Sequence, residues 1–359
     1  MGRGTPILVT GAAGFIGFHT AKRLLAEGHA VVGLDNLNSY YDPTLKEARL
    51  AILQEEEGFT FHKLELADRD GMEGLFAEGG FGTVIHLAAQ AGVRHSLTNP
   101  HSYVDSNVTG SLNVLEGCRH HGVGHLLFAS TSSVYGLNKA IPFSEGQGAN
   151  HPITIYAASK KATEEMAHSY AHLFGLPCTG LRFFTVYGPW GRPDMAYFSF
   201  TRKILAGEPI EVYGEGRPSR DFTYIDDIVE GIVGAAAQPP EPDEDWDPMD
   251  PDPGTSAARW RILNIGATPK VGLMGFIEAL EEALGQEAEK IMLPMQPGDV
   301  LETHADTSRL TELTGYQPRV PVEEGVRRFV EWYGAYYATE TQAAHRVGYS
   351  EKIPNRALD

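Results

Sequence analysis

Cysteine, positive charge and long apolar runs are all scarce in this chain. Only Cys118 and Cys178 occur in 359 residues, too few for a disulfide framework or a zinc cage, so two reduced, buried thiols are expected. Lysine and arginine number 29 against 47 aspartates and glutamates, a formal charge of −18. That excess argues against wrapping a phosphate backbone or docking on an anionic membrane. No apolar run approaches the roughly 18 residues of a membrane span, and Met1-Gly2-Arg3-Gly4-Thr5-Pro6 leads straight into an apolar strand rather than through a signal peptide. A soluble cytoplasmic protein is expected, with neither nucleic acid nor membrane as partner. The 14 histidines are scattered; His120-His121 and His168 with His172 lack further ligands, and no metal site is expected.

A chain of this length carries a large α/β core, or such a core with a smaller second lobe. Strand-like runs at Ile7 to Thr10, Val31 to Leu34, Phe59 to Leu64, Val84 to Ala88 and Leu126 to Ala129 alternate with longer helical stretches. This is the pattern of an α/β Rossmann-type, doubly wound parallel sheet. Residues 1–184 are assigned to that domain, with a later segment near 222–237 expected to return to it. Beyond Thr185 the alternation loosens, with Pro193, Pro209 and Pro218 as breaks, and 185–338 is assigned mainly to a smaller C-terminal substrate-binding lobe. Within it the stretch 238–255 is dense in proline and acid and is expected to be a solvated loop. Residues 339–359 read as a polar tail. Such sheets bind ligands at the carboxyl ends of their strands, which puts Leu87-Ala88-Ala89-Gln90, Thr131-Ser132-Ser133 and Phe183-Phe184-Thr185 on one edge.

The first strand runs at once into Gly11-Ala12-Ala13-Gly14-Phe15-Ile16-Gly17 and then a helical pattern through Ala21, Leu24 and Leu25. Glycines permit the tight turn and the approach of backbone to a pyrophosphate, and the helix start offers unpaired N–H groups at a positive dipole end. Asp35 ends the next strand, at about the distance where a carboxylate meets the adenosine ribose hydroxyls and repels a 2′-phosphate. Asn36-Leu37-Asn38 supplies no arginine to receive such a phosphate, so NAD is expected over NADP. The G-x-x-G-x-x-G spacing resembles that of the extended short-chain dehydrogenase/reductase superfamily. The resemblance implies NAD contacts from Gly11, Gly14, Phe15, Ile16, Gly17, Asp35, Asn36 and Asn38. Further along it implies contacts from Glu65, Leu66, Leu87, Ala88, Ala89, Gln90 and Phe183, with Asn107 in the cofactor set as the residue that holds its helix open. Glu65 departs from the family's usual aspartate.

Tyr156-Ala157-Ala158-Ser159-Lys160 sets a phenol and an ammonium one helical turn apart on one face, about 25 residues after Ser130-Thr131-Ser132-Ser133. A free tyrosine has a pKa near 10, so service as a base at neutral pH needs it lowered by roughly 3, or about 4 kcal/mol. A neighbouring ammonium and a cationic nicotinamide can supply that together. The dinucleotide loop upstream is what separates this pair from a surface tyrosine beside a lysine.

The string Phe184-Thr185-Val186-Tyr187-Gly188-Pro189-Trp190-Gly191-Arg192-Pro193-Asp194-Met195-Ala196 resembles the bacterial and plant UDP-glucuronate 4-epimerases, and it is far more specific than the glycine loop. The resemblance covers nearly the whole chain. It implies NAD-dependent inversion at C4 of UDP-glucuronate through a 4-keto sugar, giving UDP-galacturonate. Tyr156 and Lys160 would serve as the catalytic pair, with Tyr156 as base and Thr131 sharing the proton at the 4-oxygen. Arg220, in Arg220-Asp221-Phe222, would bind the diphosphate, and Asp299, in Pro297-Gly298-Asp299, the uridine ribose. Gln296 stands where hexose epimerases usually carry arginine. A 4-keto uronate is a β-keto acid that can lose carbon dioxide, so Ser132, Ser133 and Thr185 are expected to hold its carboxylate, with Arg192 ordering the loop or the substrate tail. The superfamily's habit implies a homodimer through the helices around Leu97 to His121 and Tyr156 to Phe174.

Other functions remain open at this level. Thr131-Ser132-Ser133 lacks the Thr-Asp-Glu run of a sugar-nucleotide 4,6-dehydratase. A UDP-glucuronate decarboxylase shares the first half-reaction but would carry a different loop after Tyr187-Gly188-Pro189, and a UDP-hexose 4-epimerase would favour asparagine at position 185. A non-catalytic NAD-binding regulator built on the same fold has no need for Thr131, Tyr156 and Lys160 together.

Overall fold

The computed structural model describes residues 4–266, 270–295 and 301–346. Seven strands form one parallel sheet: β1 (Ile7–Thr10), β2 (Val31–Asp35), β3 (Phe59–Lys63), β4 (Thr83–His86), β5 (His125–Thr131), β6 (Cys178–Phe183) and β7 (Trp260–Ile265). Their order is β7-β6-β5-β4-β1-β2-β3. Val9 of β1 lies beside Gly33 of β2 and Ile85 of β4. Both faces of the sheet are covered. Ile7, Val9, Ile85, Leu127 and Leu181 point into one apolar cluster, while their neighbours Leu8, Val84, Leu126 and Phe128 point into a second on the opposite side. Strands buried on both faces read as continuous apolar runs, which is why β1, β4 and β5 stood out in the sequence.

The chain reverses direction across the sheet between β1 and β4, and this switch point opens a crevice at the carboxyl edge. β4 stops at His86, two residues short of the apolar run seen in the sequence, so Leu87 onward leaves the sheet and turns along the crevice. β5 runs on through Thr131. β7 joins the central sheet beside β6, Leu263 pairing Leu181, although it falls inside the stretch assigned to the smaller lobe. Its apolar run follows an acidic, proline-rich segment far from β6 in sequence, and no local signal says which sheet it joins. The helix Ile225–Ala236 also packs on this domain, against the helix Phe15–Ala26.

Short strand pairs build the remainder: Thr185–Tyr187 beside Phe222–Tyr224, Ile210–Tyr213 beside Lys290–Leu293, and Ser219–Arg220 beside Val271–Gly272. The helices Ala196–Leu205, Leu273–Leu284 and Val322–Arg346 pack around them, the last continuing past residue 338. The acidic stretch 238–255 has no helix or strand but is tied down, Asp252 pairing with Arg309 at 2.6 Å and Asp243 accepting from the Thr255 hydroxyl at 2.8 Å.

Candidate active site

The glycine loop is shaped by close backbone contact. Gly11 has φ 72°, and a Cβ there would lie 2.9 Å from the Ala88 nitrogen; a Cβ on Gly17 would lie 2.0 Å from the Gly11 oxygen. Any side chain at these positions would push the helix away from the strand end. Gly14 starts the helix Phe15–Ala26 with no side-chain cap, leaving its first N–H groups to an anionic ligand. Thr10 ties the loop to β4: its hydroxyl accepts from the Ala88 N–H at 3.0 Å and lies 2.8 Å from His86 Nδ1. Burial lowers His86 to about 3, the nearby Lys160 charge acting in the same direction, so its ring is neutral.

One cleft of about 470 Å³ runs along the carboxyl edge. At one end it is lined by Gly11, Gly14, Phe15, Ile16 and Gly17, then by Asp35, Asn36, Asn38, Glu65 and Leu66. Asp35 is buried at the end of β2 and accepts from the Leu37 N–H at 2.9 Å, while Asn36 donates to Glu65 at 2.7 Å. The longer acid at 65 therefore reaches this corner. Lys46 brings a cation near Asp35 that the sequence reading did not include, but its ammonium donates to Asn38 at 2.7 and 3.1 Å. The floor is Leu87, Ala88, Ala89 and Gln90, continuing to Phe183.

Asn107 is the exception in the predicted cofactor set. It sits in a π-helical turn, Val104–Thr109, fully buried and one layer behind the cleft lining. Its side chain accepts from the Gln90 N–H at 2.8 Å and donates to the Gln90 carbonyl at 3.0 Å and to Ser159 at 2.9 Å, while Thr163 donates to its own carbonyl at 3.0 Å. Asn107 thus fixes the floor to the Tyr156 helix and does not itself face the cleft.

That helix, Ile155–Phe174, is capped by Thr154, whose hydroxyl accepts from the Ala157 N–H at 3.1 Å, and it ends at Gly175 with φ 68°. The cap sets Tyr156 in the first turn, half-buried, with Lys160 fully buried behind it. Burial raises the Tyr156 pKa, while the neighbouring Thr131 hydroxyl and the Arg192 charge pull it down. Burial lowers Lys160 to about 8 against the opposing effect of Glu164, and its Nζ has no hydrogen-bond partner among the described residues. Behind them Glu164 and Arg182 form a fully buried ion pair at 2.8 Å.

The cleft that Tyr156 lines is lined also by Thr131, Ser132, Ser133, Thr185, Arg192 and Arg220. Thr131 accepts from the Ser133 N–H at 3.2 Å and so caps the strand end. Arg192 makes a two-point ion pair with Asp194, at 3.0 and 2.5 Å, and Tyr40 donates to the same carboxylate at 3.1 Å. Arg220 donates to the Ser219 and Leu301 carbonyls at 2.8 and 3.1 Å. Asp299 and Gln296 lie outside the described residues. The sequence reading missed Tyr40, Tyr41, Lys46 and Asp194; the paired tyrosines just after Asp35 were the available signal.

Residues 7–246 match the model of the NAD dependent epimerase/dehydratase family. A probable UDP-glucuronate 4-epimerase of Rhizobium meliloti is 54% identical over 331 residues, 92% of this chain and 97% of that protein. UDP-glucuronate 4-epimerase 1 of Arabidopsis thaliana is 47% identical over 350 residues, 95% of this chain and 79% of that protein. Among solved structures, the UDP-glucuronic acid 4-epimerase of Bacillus cereus in complex with UDP-glucuronic acid and NAD is similar with a TM-score of 0.83 at 33% identity, covering 93% of this chain and 100% of that one.

Proposed function

The chain belongs to the NAD dependent epimerase/dehydratase family, and within it we propose that this protein interconverts UDP-glucuronate and UDP-galacturonate by inversion at C4. The observation that carries the proposal is a single cleft joining the dinucleotide loop to Thr131, Tyr156 and Arg192. The residues present fit NAD. The glycine loop leaves room for a pyrophosphate, Asp35 suits ribose hydroxyls, and the unpartnered Lys160 ammonium suits a second polar ligand group in a place where an orphaned charge is costly. Bound NAD supplies a hydride acceptor that later returns the hydride.

Tyr156 takes the proton of the sugar 4-hydroxyl and gives it back, and Thr131 holds the 4-oxygen in line. Burial keeps Tyr156 protonated in the free protein, so its activation depends on positive charge: Arg192 on one side, Lys160 and the cofactor on the other. After oxidation the 4-keto sugar turns over about its diphosphate, which Arg220 tethers, and presents its opposite face for reduction. Decarboxylation would move charge off the carboxylate into the ring. Donors concentrated on the carboxylate, from Ser132, Ser133, Thr185 and Arg192, favour the state in which the charge stays there.

Residues 1–184, with 222–237 and β7, serve as the NAD domain in this reading, and the rest of 185–338 as the UDP-sugar lobe. Exposed Leu97, Val104, Leu112, Leu173 and Phe174 on the helices flanking the sheet support a homodimer, and two buried free thiols suit the cytoplasm. Among the described residues no helix is long and apolar enough to cross a membrane. The test is proton NMR of UDP-glucuronate with the purified protein. UDP-galacturonate signals are expected from the natural chain, and Tyr156→Phe should keep bound NAD but lose turnover. A UDP-pentose as the main product, or turnover surviving in Tyr156→Phe, would overturn the assignment.

A further inference from the structure

The loop that precedes Arg192 is held in an unusual shape. Gly188 has φ 144° and Trp190 has φ 61°, a left-handed conformation rarely adopted by a large side chain. Trp190 packs its ring against Phe18, Trp332 and Tyr336. Three consecutive carbonyls of this loop accept from side chains of the nucleotide half. His19 Nε2 lies 3.0 Å from the Pro189 oxygen, and Arg49 Nη2 donates to the Trp190 and Gly191 oxygens at 2.6 and 3.2 Å. Burial lowers His19 to about 4, so its ring is neutral and its Nε2–H donates. The other arm of Arg49 donates to the Ala13 carbonyl in the glycine loop at 2.9 Å and to the Tyr41 hydroxyl at 2.8 Å.

Arg49 is fully buried, and all four of these hydrogen-bond partners are neutral oxygens. Burying a guanidinium without a carboxylate is expensive, and an apolar side chain of similar volume would often serve the fold as well or better. What a planar fork does, and an apolar chain cannot, is join the cofactor loop to the strained loop in one fixed geometry. Arg192 comes directly after the strained loop and donates to Asp194, which also accepts from Tyr40.

We infer that Arg49 is a positioning residue that sets Arg192 against Tyr156, and so governs how the 4-keto sugar divides between reduction to the epimer and loss of carbon dioxide. The inference rests on the UDP-glucuronate reading. In the side reaction the bond from C5 to the carboxylate breaks and its electron pair passes into the C4 carbonyl. Carbon dioxide leaves, and C5 takes a proton to give the 4-keto pentose, which the reduced cofactor converts to the pentose or which departs unreduced.

The experiment incubates UDP-glucuronate with the natural chain, Arg49→Met, Arg49→Lys, His19→Ala, Arg192→Met and the Arg49→Met/Arg192→Met double variant. Proton NMR reads the share of decarboxylated product. Arg49→Met should raise that share about tenfold, with Arg49→Lys between it and the natural chain. In the Arg192→Met background the further change should be under about twofold, since Arg49 acts through Arg192. A share that does not move while turnover falls only with the folded fraction overturns the inference, as does an undiminished effect in the double variant. Should Arg49→Met not fold, His19→Ala carries the test: it removes only the donor to Pro189, a rise in the same direction is expected, and no rise overturns the inference. If the natural chain makes no UDP-galacturonate, the function itself fails, and that result is read before any variant.

Discussion

Replacing Glu164 by glutamine should unsettle this protein more than its small change in shape suggests. Glu164 lies on the Tyr156 helix one turn beyond Lys160, fully buried. One carboxylate oxygen accepts from the Ser130 hydroxyl at 2.6 Å and Arg182 Nε at 2.9 Å, the other from Arg182 Nη2 at 2.8 Å and Lys161 at 3.0 Å. Burial pushes the carboxyl up, but the Arg182 charge and hydrogen bonds, with Lys161 and Ser130, outweigh it and hold the group at about 2 against an ordinary 4.5. That depression is worth about 3 kcal/mol at neutral pH. The folded pKa is the lower one, so the contribution is complete above 4.5 and disappears as the pH falls toward 2.

Glu164→Gln also strands the Arg182 guanidinium, whose Nη1 already lacks a hydrogen-bond partner among the described residues, and breaking such a buried pair from one side costs about 3–5 kcal/mol. Urea unfolding at pH 7 should therefore show a loss of about that size, and the loss should shrink as the pH is lowered below 4.5. The paired change Glu164→Leu with Arg182→Met removes both charges and should cost less than the single substitution. A Glu164→Gln variant within about 1 kcal/mol of the natural chain, or one with the same acid slope, would refute this account of the pair.

Two further substitutions probe the glycine loop and a buried carboxyl. Gly17→Ala would place a methyl 2.0 Å from the Gly11 oxygen; it should lower stability by about 1–3 kcal/mol despite alanine's better helix propensity, and weaken NAD retention, read by thermal melts with and without added NAD. An undisturbed melt with full retention would contradict the close-packing explanation. Asp221 is fully buried, accepts from the Ala305 N–H at 2.5 Å, and is raised by burial to about 7. Its raised pKa favours the folded chain while the group is protonated, a benefit present below 3.8 and lost as pH climbs through 7. Asp221→Asn should thus gain on the natural chain between those values, by up to about 4 kcal/mol, and parallel stability–pH curves would count against it.

The elements that short stretches could specify were legible without coordinates. Strand, glycine turn and helix follow one another within Ile7 to Leu25, and Tyr156 and Lys160 share a helix face because their spacing matches its turn. All the predicted cleft residues among those described line the cleft except Asn107, since residues after successive parallel strands must gather on one edge. What could not be read locally came from distant pairings. β7 finds β6 after an acidic loop, and Arg49 meets Trp190 across 141 positions of sequence. Asn107 sits in a π-helical turn behind Gln90 and is bonded to its backbone, a contact across 17 positions of sequence. The upward shift of Tyr156 and the isolation of the Lys160 ammonium exist only once the surrounding elements exclude water. The chain's sequence by itself determined which chemical groups stand at the strand ends, because spacing and strand order are local properties; the tertiary structure alone decided which of them face the cleft and at what electrostatic cost, because burial and long-range contact are not.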